Sequence, residues 1–489
     1  SVLALARLIG AAATKVTRAA GAERTENSAM LSVRGVPRQL LADLAAQVDA
    51  DLAIINSYNS MVVSGRPADL ERLTSKLDAV AEESAAIRAA KKTGGAPISP
   101  VAEFLDVDAP FHSHLLEPAV TLVDEWAARC GISVEGADTL ARAVLTDPLD
   151  WAVEVAETVK DFGRGYVVDL GPGNLQRLTT ENLAGTGITY VDAGIAAARD
   201  EFVSGGPRMV TAEDWSGYAP QLATIGGHKV LQTAFSRLTG RSPIILGGMT
   251  PTTVDPEIVA AAANAGHWVE LAGGGQVTEE VLSTHLVDLR KMLEPGRTAQ
   301  FNAMFLDRYL WDLQFGARRL VSRERAAGAP LDGVTISAGI PDLEEAVELI
   351  ERLRGEGFPY IGFKPGTVDQ IRQVLAIARA TEGMPLIIQV EDGHAGGHHS
   401  WVDLADMLLA TYREIREAGV ILTVGGGMGV PERAAAYLTG EWSRQWGRPA
   451  MPVDAVFIGT VGMTAREAKT NRDVKELLVA TPGVAADDA

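Results

Sequence analysis

The stretch "PIILGGMTPTTVDPEIVAAAANAGHWVELAGGG", residues 243–275, holds one structural unit and the start of the next. A short apolar run ends in glycine, a helical pattern opens at Asp255 and closes at Gly266, and a second apolar run again ends in glycine. The unit then recurs along the rest of the chain. Its further apolar runs are "TAQFNAMF" (298–305), "GVTISAG" (333–339), "YIGFKPG" (360–366), "PLIIQVE" (385–391), "VILTVGGG" (420–427) and "AVFIGT" (455–460). Helical segments such as "DLEEAVELIERLRGEG", "TVDQIRQVLAIARATEG" and "WVDLADMLLATYREIREAG" lie between them, with Asp or Thr as N-cap and Gly as C-cap. Runs that are apolar almost throughout belong to strands buried on both faces, as in a parallel sheet. Eight evenly spaced strand–helix units between Pro243 and Thr460 predict an α/β fold closed into a (β/α)8 TIM barrel, in preference to an open doubly wound sheet.

Such a barrel does its chemistry at the carboxyl ends of its strands. There the sequence sets Gly247, Gly248, Met249 and Thr250 after the first strand and Gly273, Gly274 and Gly275 after the second. Asn302 lies on the third strand, Lys364 follows the fifth, and Glu391 ends the sixth. Gly425, Gly426 and Gly427 end the seventh strand, and Gly459 and Thr460 the eighth. Glycines after strands seven and eight, each leading into a helix, offer backbone N–H groups to a phosphate. Those after strands one and two leave room for a flat ring against the backbone.

The sixth strand runs into "VEDGHAGGHHS" (390–400), which holds three of the chain's 8 histidines. A metal site needs ligands converging at about 2 Å. The H-x3-H-H spacing in a glycine-flexed loop turns the adjacent His398 and His399 apart, so no metal is expected. His394 reads as a surface-loop residue and His399 as a supporting neighbour. His398 follows Gly396 and Gly397, where a side chain leans over the barrel mouth and moves a proton near neutral pH.

At 489 residues the chain needs more than one hydrophobic core. A net charge of −19 argues against a nucleic-acid partner, whose phosphates require clustered Lys and Arg. No apolar run approaches the ~20 residues of a membrane span. The single cysteine, Cys130, excludes a disulfide framework and Cys-rich zinc sites and points to a reducing, cytoplasmic setting. A helical pattern is already running at Ser1, as in a segment of a longer polypeptide.

Residues 1–200 read as a partial α/β domain, 201–240 as a packed connector carrying Trp215 and Tyr218, and 241–489 as the barrel domain. Residues 29–84 alternate strand, helix, strand, strand, helix, with "NSYNS" as the hairpin turn; this is most of a ferredoxin-like subdomain spanning about 29–105. His112 and His114 straddle a helix start, where a general base, a cap and a packed histidine are all open readings.

Taken in order, "PIILGGMTPTTVDPEIVAAAANAG", "FNAMF", "YIGFKPG", "EDGHAGGHHS", "VGGGMGVPERA" and "MPVDAVFIGTVGMTAREAK" resemble the flavin-dependent enoyl reductase domain of type I fatty acid synthases, as found in fungal and mycobacterial multienzymes. They are more distantly similar to bacterial flavin enoyl reductases and nitronate monooxygenases. The resemblance implies FMN in the barrel and NADPH as reductant. It puts the catalytic histidine on His398 and the flavin contacts on Gly247, Gly248, Met249, Thr250, Asn302, Lys364, Gly396, Gly397, Gly425, Gly426, Gly427, Gly459 and Thr460. Lys364 would compensate negative charge on the reduced ring; the alternative is a structural ion pair.

In the first half, "INSYNSMVVSG", "PFHSHLL" and "VVDLGPGN" resemble the malonyl/acetyl acyltransferase family of the same synthases. There a histidine activates a serine that takes an acyl group from coenzyme A. His112 matches that histidine, and Asn56 an asparagine near the site. The family's serine sits in a G-H-S-x-G elbow, a motif this sequence does not contain; family order puts it upstream of Ser1, so this half is expected to be inactive by itself. "LIGAAATK" (8–15) offers alanine where malonyl-specific members carry arginine, which favours acetyl. The resemblance further implies acyl-CoA, an acyl carrier protein domain and other synthase domains as partners, within a homo-oligomer, a hexamer. The alternatives are a nitronate monooxygenase-like oxidase and a catalytically silent structural segment.

Overall fold

The computed structural model describes residues 2–89, 99–133, 136–171, 175–206, 209–225, 227–381, 383, 385–391, 393, 400 and 402–481. Four strands of the first half form one antiparallel ladder in the order β4-β1-β3-β2: β1 (Met30–Arg34), β2 (Asp51–Ser57), β3 (Ser60–Ser64) and β4 (Val101–Phe104). With helices Arg38–Ala46 and Pro67–Ala89 on the connections, this is the ferredoxin-like arrangement, and β4 supplies its last strand. β4 is short and half exposed, with Glu103 inside it, so it carries little of the apolar signal that marks the others. β5 (Leu149–Asp150) adds to β2 in parallel. Helix Val2–Ala19 packs its Leu5, Ile9, Ala12 and Val16 against helices Glu117–Arg129 and Ala137–Leu145. A separate parallel pair, β6 (Gly165–Asp169) and β7 (Ile188–Asp192), follows.

The connector is built, not slack. It contains the hairpin β8 (Gln221–Ile225) and β9 (His228–Gln232), then helix Ala234–Thr239. Thr233 caps that helix through a reciprocal box with Ser236, and Gly240 ends it in the left-handed region.

Eight parallel strands then close a barrel in chain order: β10 (Ser242–Leu246), β11 (His267–Ala272), β12 (Ala299–Met304), β13 (Leu331–Ser337), β14 (Tyr360–Phe363), β15 (Ile387–Glu391), β16 (Ile421–Gly425) and β17 (Ala455–Ile458). β10 pairs with β17 to complete the ring. Each overlaps one of the eight apolar runs of the sequence, β10 and β13 starting one and two residues ahead of theirs. Asp342, Thr367 and Asp403 cap their helices through side-chain oxygens, whereas Asp255 receives Lys469 at 2.9 Å instead. The outward strand faces and inward helix faces share one large core.

The interior is filled in layers. At the amino end Phe235 rises from helix Ala234–Thr239 to meet Trp268 edge-on, with centroids 5.5 Å apart, and Tyr360 flanks Trp268 at 5.8 Å. Arg241 lies over both Trp268 and Tyr360 and pairs with Asp332 at 2.5 Å. Barrel packing therefore begins ahead of Arg241, the boundary read from sequence. Among the described residues no helix is long and apolar enough to cross a membrane.

Candidate active site at the barrel mouth

Above these layers the carboxyl ends of the strands enclose a cavity of about 1030 Å³, at the upper end of the range of ligand pockets. Gly247, Gly248, Met249, Thr250, Asn302, Lys364, Gly426, Gly427, Gly459 and Thr460 all line it, so ten of the positions marked in the sequence converge on one space. Gly425 does not line it. A methyl group on Gly425 would sit 1.9 Å from Cε2 of Phe457, its register partner on β17, so this glycine is required by strand packing and not by a phosphate cradle. Gly426 and Gly427 adopt φ +111° and +64°, and the chain then enters helix Pro431–Thr439. Glycines ahead of a helix N-terminus are an arrangement whose backbone N–H groups can receive an anion. His394, His398 and His399, with Gly396 and Gly397, lie outside the described residues. Both flanks of their loop are anchored: Gly393 N–H donates to Val402 O at 3.3 Å, and the buried Ser400 donates its hydroxyl proton to Gly366 O. Ser400 itself lines the cavity.

Two polar clusters form the floor and wall. Asn302 is buried on β12; its Nδ2 donates to Glu270 Oε2 at 2.7 Å, and its Oδ1 accepts from Ser337 Oγ at 2.6 Å. The carboxamide is thus fixed in one orientation. A Cβ on Gly248 would fall 2.7 Å from that of Asn302, which is why the turn after β10 carries glycine there. Lys364 follows β14, its N–H still bonded to Ile336 O, and its ammonium lies 3.1 Å from Glu391 and 4.9 Å from the centroid of Phe457. Burial favours the neutral amine, but Glu391 and Glu270 outweigh it and hold the Lys364 pKa above its usual value. The lysine is therefore charged and already paired, closer to the ion-pair reading than to a free cation.

Sequence reading passed over Glu270 and Ser337. Glu270 had a signal: it is the one charged residue inside the strand run "HWVELAGGG". Ser337 had none, since its role depends on which atom of Asn302 faces it.

The first-half histidines separate cleanly. His114 and Ser113 both bind Asp51 Oδ2, at 2.7 and 2.6 Å, which ties the helix start to β2. His112 adopts φ +59°, a conformation non-glycine residues rarely take and that concentrates at functional sites. Its Nδ1 lies 2.7 Å from Asp147 O. A carbonyl only accepts, so Nδ1 carries a proton, and in the neutral ring the lone pair is left on Nε2, which has no partner among the described residues. That is the tautomer of a general base. Asn56 meets Asn182, whose Nδ2 donates to Asn56 O at 2.8 Å.

Fold and site define a mixed α/β protein in which an eight-stranded parallel barrel with a glycine- and lysine-lined mouth adjoins an acyltransferase-like region. Residues 29–104 match the family described as "Fatty acid synthase central AT domain", and residues 385–489 that described as "Fatty acid synthase subunit beta/Fas1-like, helical". The fatty acid synthase subunit beta of Saccharomyces cerevisiae is 32% identical, over 94% of this chain and 24% of its own. The fatty acid synthase beta subunit aflB of Emericella nidulans is 33% identical, over 94% of this chain and 23% of its own. Over 94% of its length the chain is similar to fungal-type fatty acid synthase beta subunits, with a central acyltransferase domain match at residues 29–104, and it spans about a quarter of the length of these curated relatives. A solved enoyl reductase domain, of MlnA from the macrolactin biosynthesis cluster of Bacillus amyloliquefaciens, is similar over 51% of this chain and 60% of its own at 15% identity and a TM-score of 0.38, too low to bear on function.

Proposed function

We propose that the barrel reduces the carbon–carbon double bond of a trans-2-enoyl thioester, with FMN at its mouth and NADPH as reductant, as one station of a fatty acid synthase whose acyl carrier protein presents the substrate. The observation that carries this reading is the convergence of a paired lysine, a fixed asparagine and two glycine turns on one cavity large enough for a phosphorylated planar ring. The donor set fits that ligand. Gly426, Gly427 and the start of helix Pro431–Thr439 would hold the phosphate, while Asn302, Lys364 and the Gly247–Thr250 turn would hold the ring. Bound there, FMN would supply the hydride transfer from NADPH to the β-carbon of the enoyl group.

The protein's own share is orientation, exclusion of water and one proton. Glu270 and Ser337 keep the Asn302 carboxamide in place, so it binds without reorganising. Met249, Met304, Val430, Val461 and Leu478 give the cavity an apolar flank suited to an acyl chain. His398 donates the proton that the α-carbon gains; Ser400, two residues on, already belongs to the cavity wall. His398→Ala should lower enoyl reduction by roughly 10²–10⁴-fold, the usual share of a general acid, while FMN stays bound. Full activity in that variant would overturn the assignment.

In the first half, His112 serves as base for a serine hydroxyl that attacks an acyl thioester. The strained backbone and the fixed tautomer support this role.

A further inference from the structure

A histidine at φ +59° keeps that backbone only where its surroundings impose it, because the left-handed region is unfavourable for a residue with a Cβ. Two elements grip the chain around His112. One is the end of helix Ala137–Leu145, where Leu145 O accepts from Ser113 N–H at 3.2 Å and Asp147 O accepts from His112 Nδ1 at 2.7 Å. The other is a single rung of the β2–β3 ladder, in which Asp51 stands directly opposite Ser64. Residues opposite each other in a ladder share a face. Ser64 is fully buried and donates its hydroxyl proton to Phe111 O at 2.7 Å. Asp51 Oδ2 accepts from Ser113 Oγ at 2.6 Å, His114 N–H at 3.0 Å and His114 Nδ1 at 2.7 Å. Ser113 is buried as well, and its Oγ accepts from Leu115 N–H at 3.2 Å, which fixes the direction of its own proton. One rung thus holds the residue before His112 and the two after it.

We propose that Asp51 and Ser64 are positioning residues for His112: by holding the chain on both its sides they impose its left-handed backbone and so deliver Nδ1 to Asp147 O. The inference rests on the reading of His112 as a general base. The bond to Asp147 O keeps the proton on Nδ1 and the lone pair on Nε2, the nitrogen that would take a serine hydroxyl proton. Asp51 acts through Ser113 and His114. Without it, residues 112–114 relax to ordinary φ, the ring leaves Asp147 O, and the proton settles on Nε2, which then has nothing with which to accept.

The test is the tautomer of His112, read from ring nitrogen–proton correlations of the chain labelled with 15N-histidine, at about pH 8.5, above the ordinary imidazole range. The signals of His112 are identified by their loss in His112→Gln. The wild type should show the Nδ1–H form, and Asp51→Ala the Nε2–H form. Asp51→Asn keeps an acceptor in place of Oδ2 and should restore the wild-type spectrum. A folded Asp51→Ala that retains the Nδ1–H form would overturn the proposal and leave the general-base reading standing. Asp51→Asn as disturbed as Asp51→Ala would overturn it too, since acceptance at that oxygen would not be what holds the histidine. Should Asp51→Ala fail to fold, Ser64→Ala, which strips Phe111 O of the same rung's donor, decides by the same change of tautomer. A wild type in the Nε2–H form overturns both the proposal and the reading beneath it.

Discussion

Gly425 and Gly459 end neighbouring strands and look alike in the sequence, yet different physics holds them. A methyl group on Gly425 enters the Phe457 ring, whereas one on Gly459 meets only Met249 Sδ at 3.5 Å. Gly425→Ala should cost about 1–3 kcal/mol as overpacking and lower the thermal midpoint. Gly459→Ala should leave the midpoint unchanged and weaken FMN retention; melting curves with and without FMN separate the two. Sequence could assign the glycines to the mouth, since strand ends are readable from the apolar runs. It could not tell cradle from packing, because that depends on the register that sets Gly425 against Phe457. Lys364 shows the same limit: its place at a strand end was legible, and its pairing with Glu391 across two strands was not.

At the scale of elements, caps were the most legible feature, because Asp or Thr at a helix start acts locally. Long-range pairs were the least. Arg416, in "REIREAG", reads as an ordinary charge near the end of helix Leu404–Glu417. It is buried, bonded to Asp454 at 2.6 Å across 38 residues, and its guanidinium lies 4.0 Å from the Tyr218 ring centroid. Burial works against its charge, but Asp454 and Tyr412 outweigh it and raise its pKa. Arg416→Met would leave Asp454 buried with Leu422 N–H, at 2.8 Å, as its remaining donor. That should cost about 3–5 kcal/mol, because a buried charge loses its partner. Denaturant unfolding checks it; a change under 1 kcal/mol would show the pair to be dispensable.

Across the whole molecule, the two halves are bound together. Arg448 Nη1 donates to Ala184 O at 2.5 Å, Arg413 Nε reaches Glu213 at 2.6 Å, and Trp215 packs edge-on against Tyr412 at 5.4 Å. The barrel was legible from end to end because its strands are buried on both faces and so apolar almost throughout. The hairpin β8–β9 and the Phe235 plug were not, since six residues of helix show no periodicity of their own. The base of the barrel is sealed around Phe235 and Trp268, and the cavity of about 1030 Å³ lies at the other end, where the proposed ligand would sit. The most direct test is to load the purified chain with FMN, remove free flavin by desalting, and follow NADPH oxidation with and without crotonyl thioester. The expected result is a yellow protein with one FMN per chain, whose NADPH consumption requires the enoyl thioester and yields the saturated product. A colourless protein, or NADPH consumption indifferent to the enoyl thioester and coupled to oxygen uptake, would contradict it.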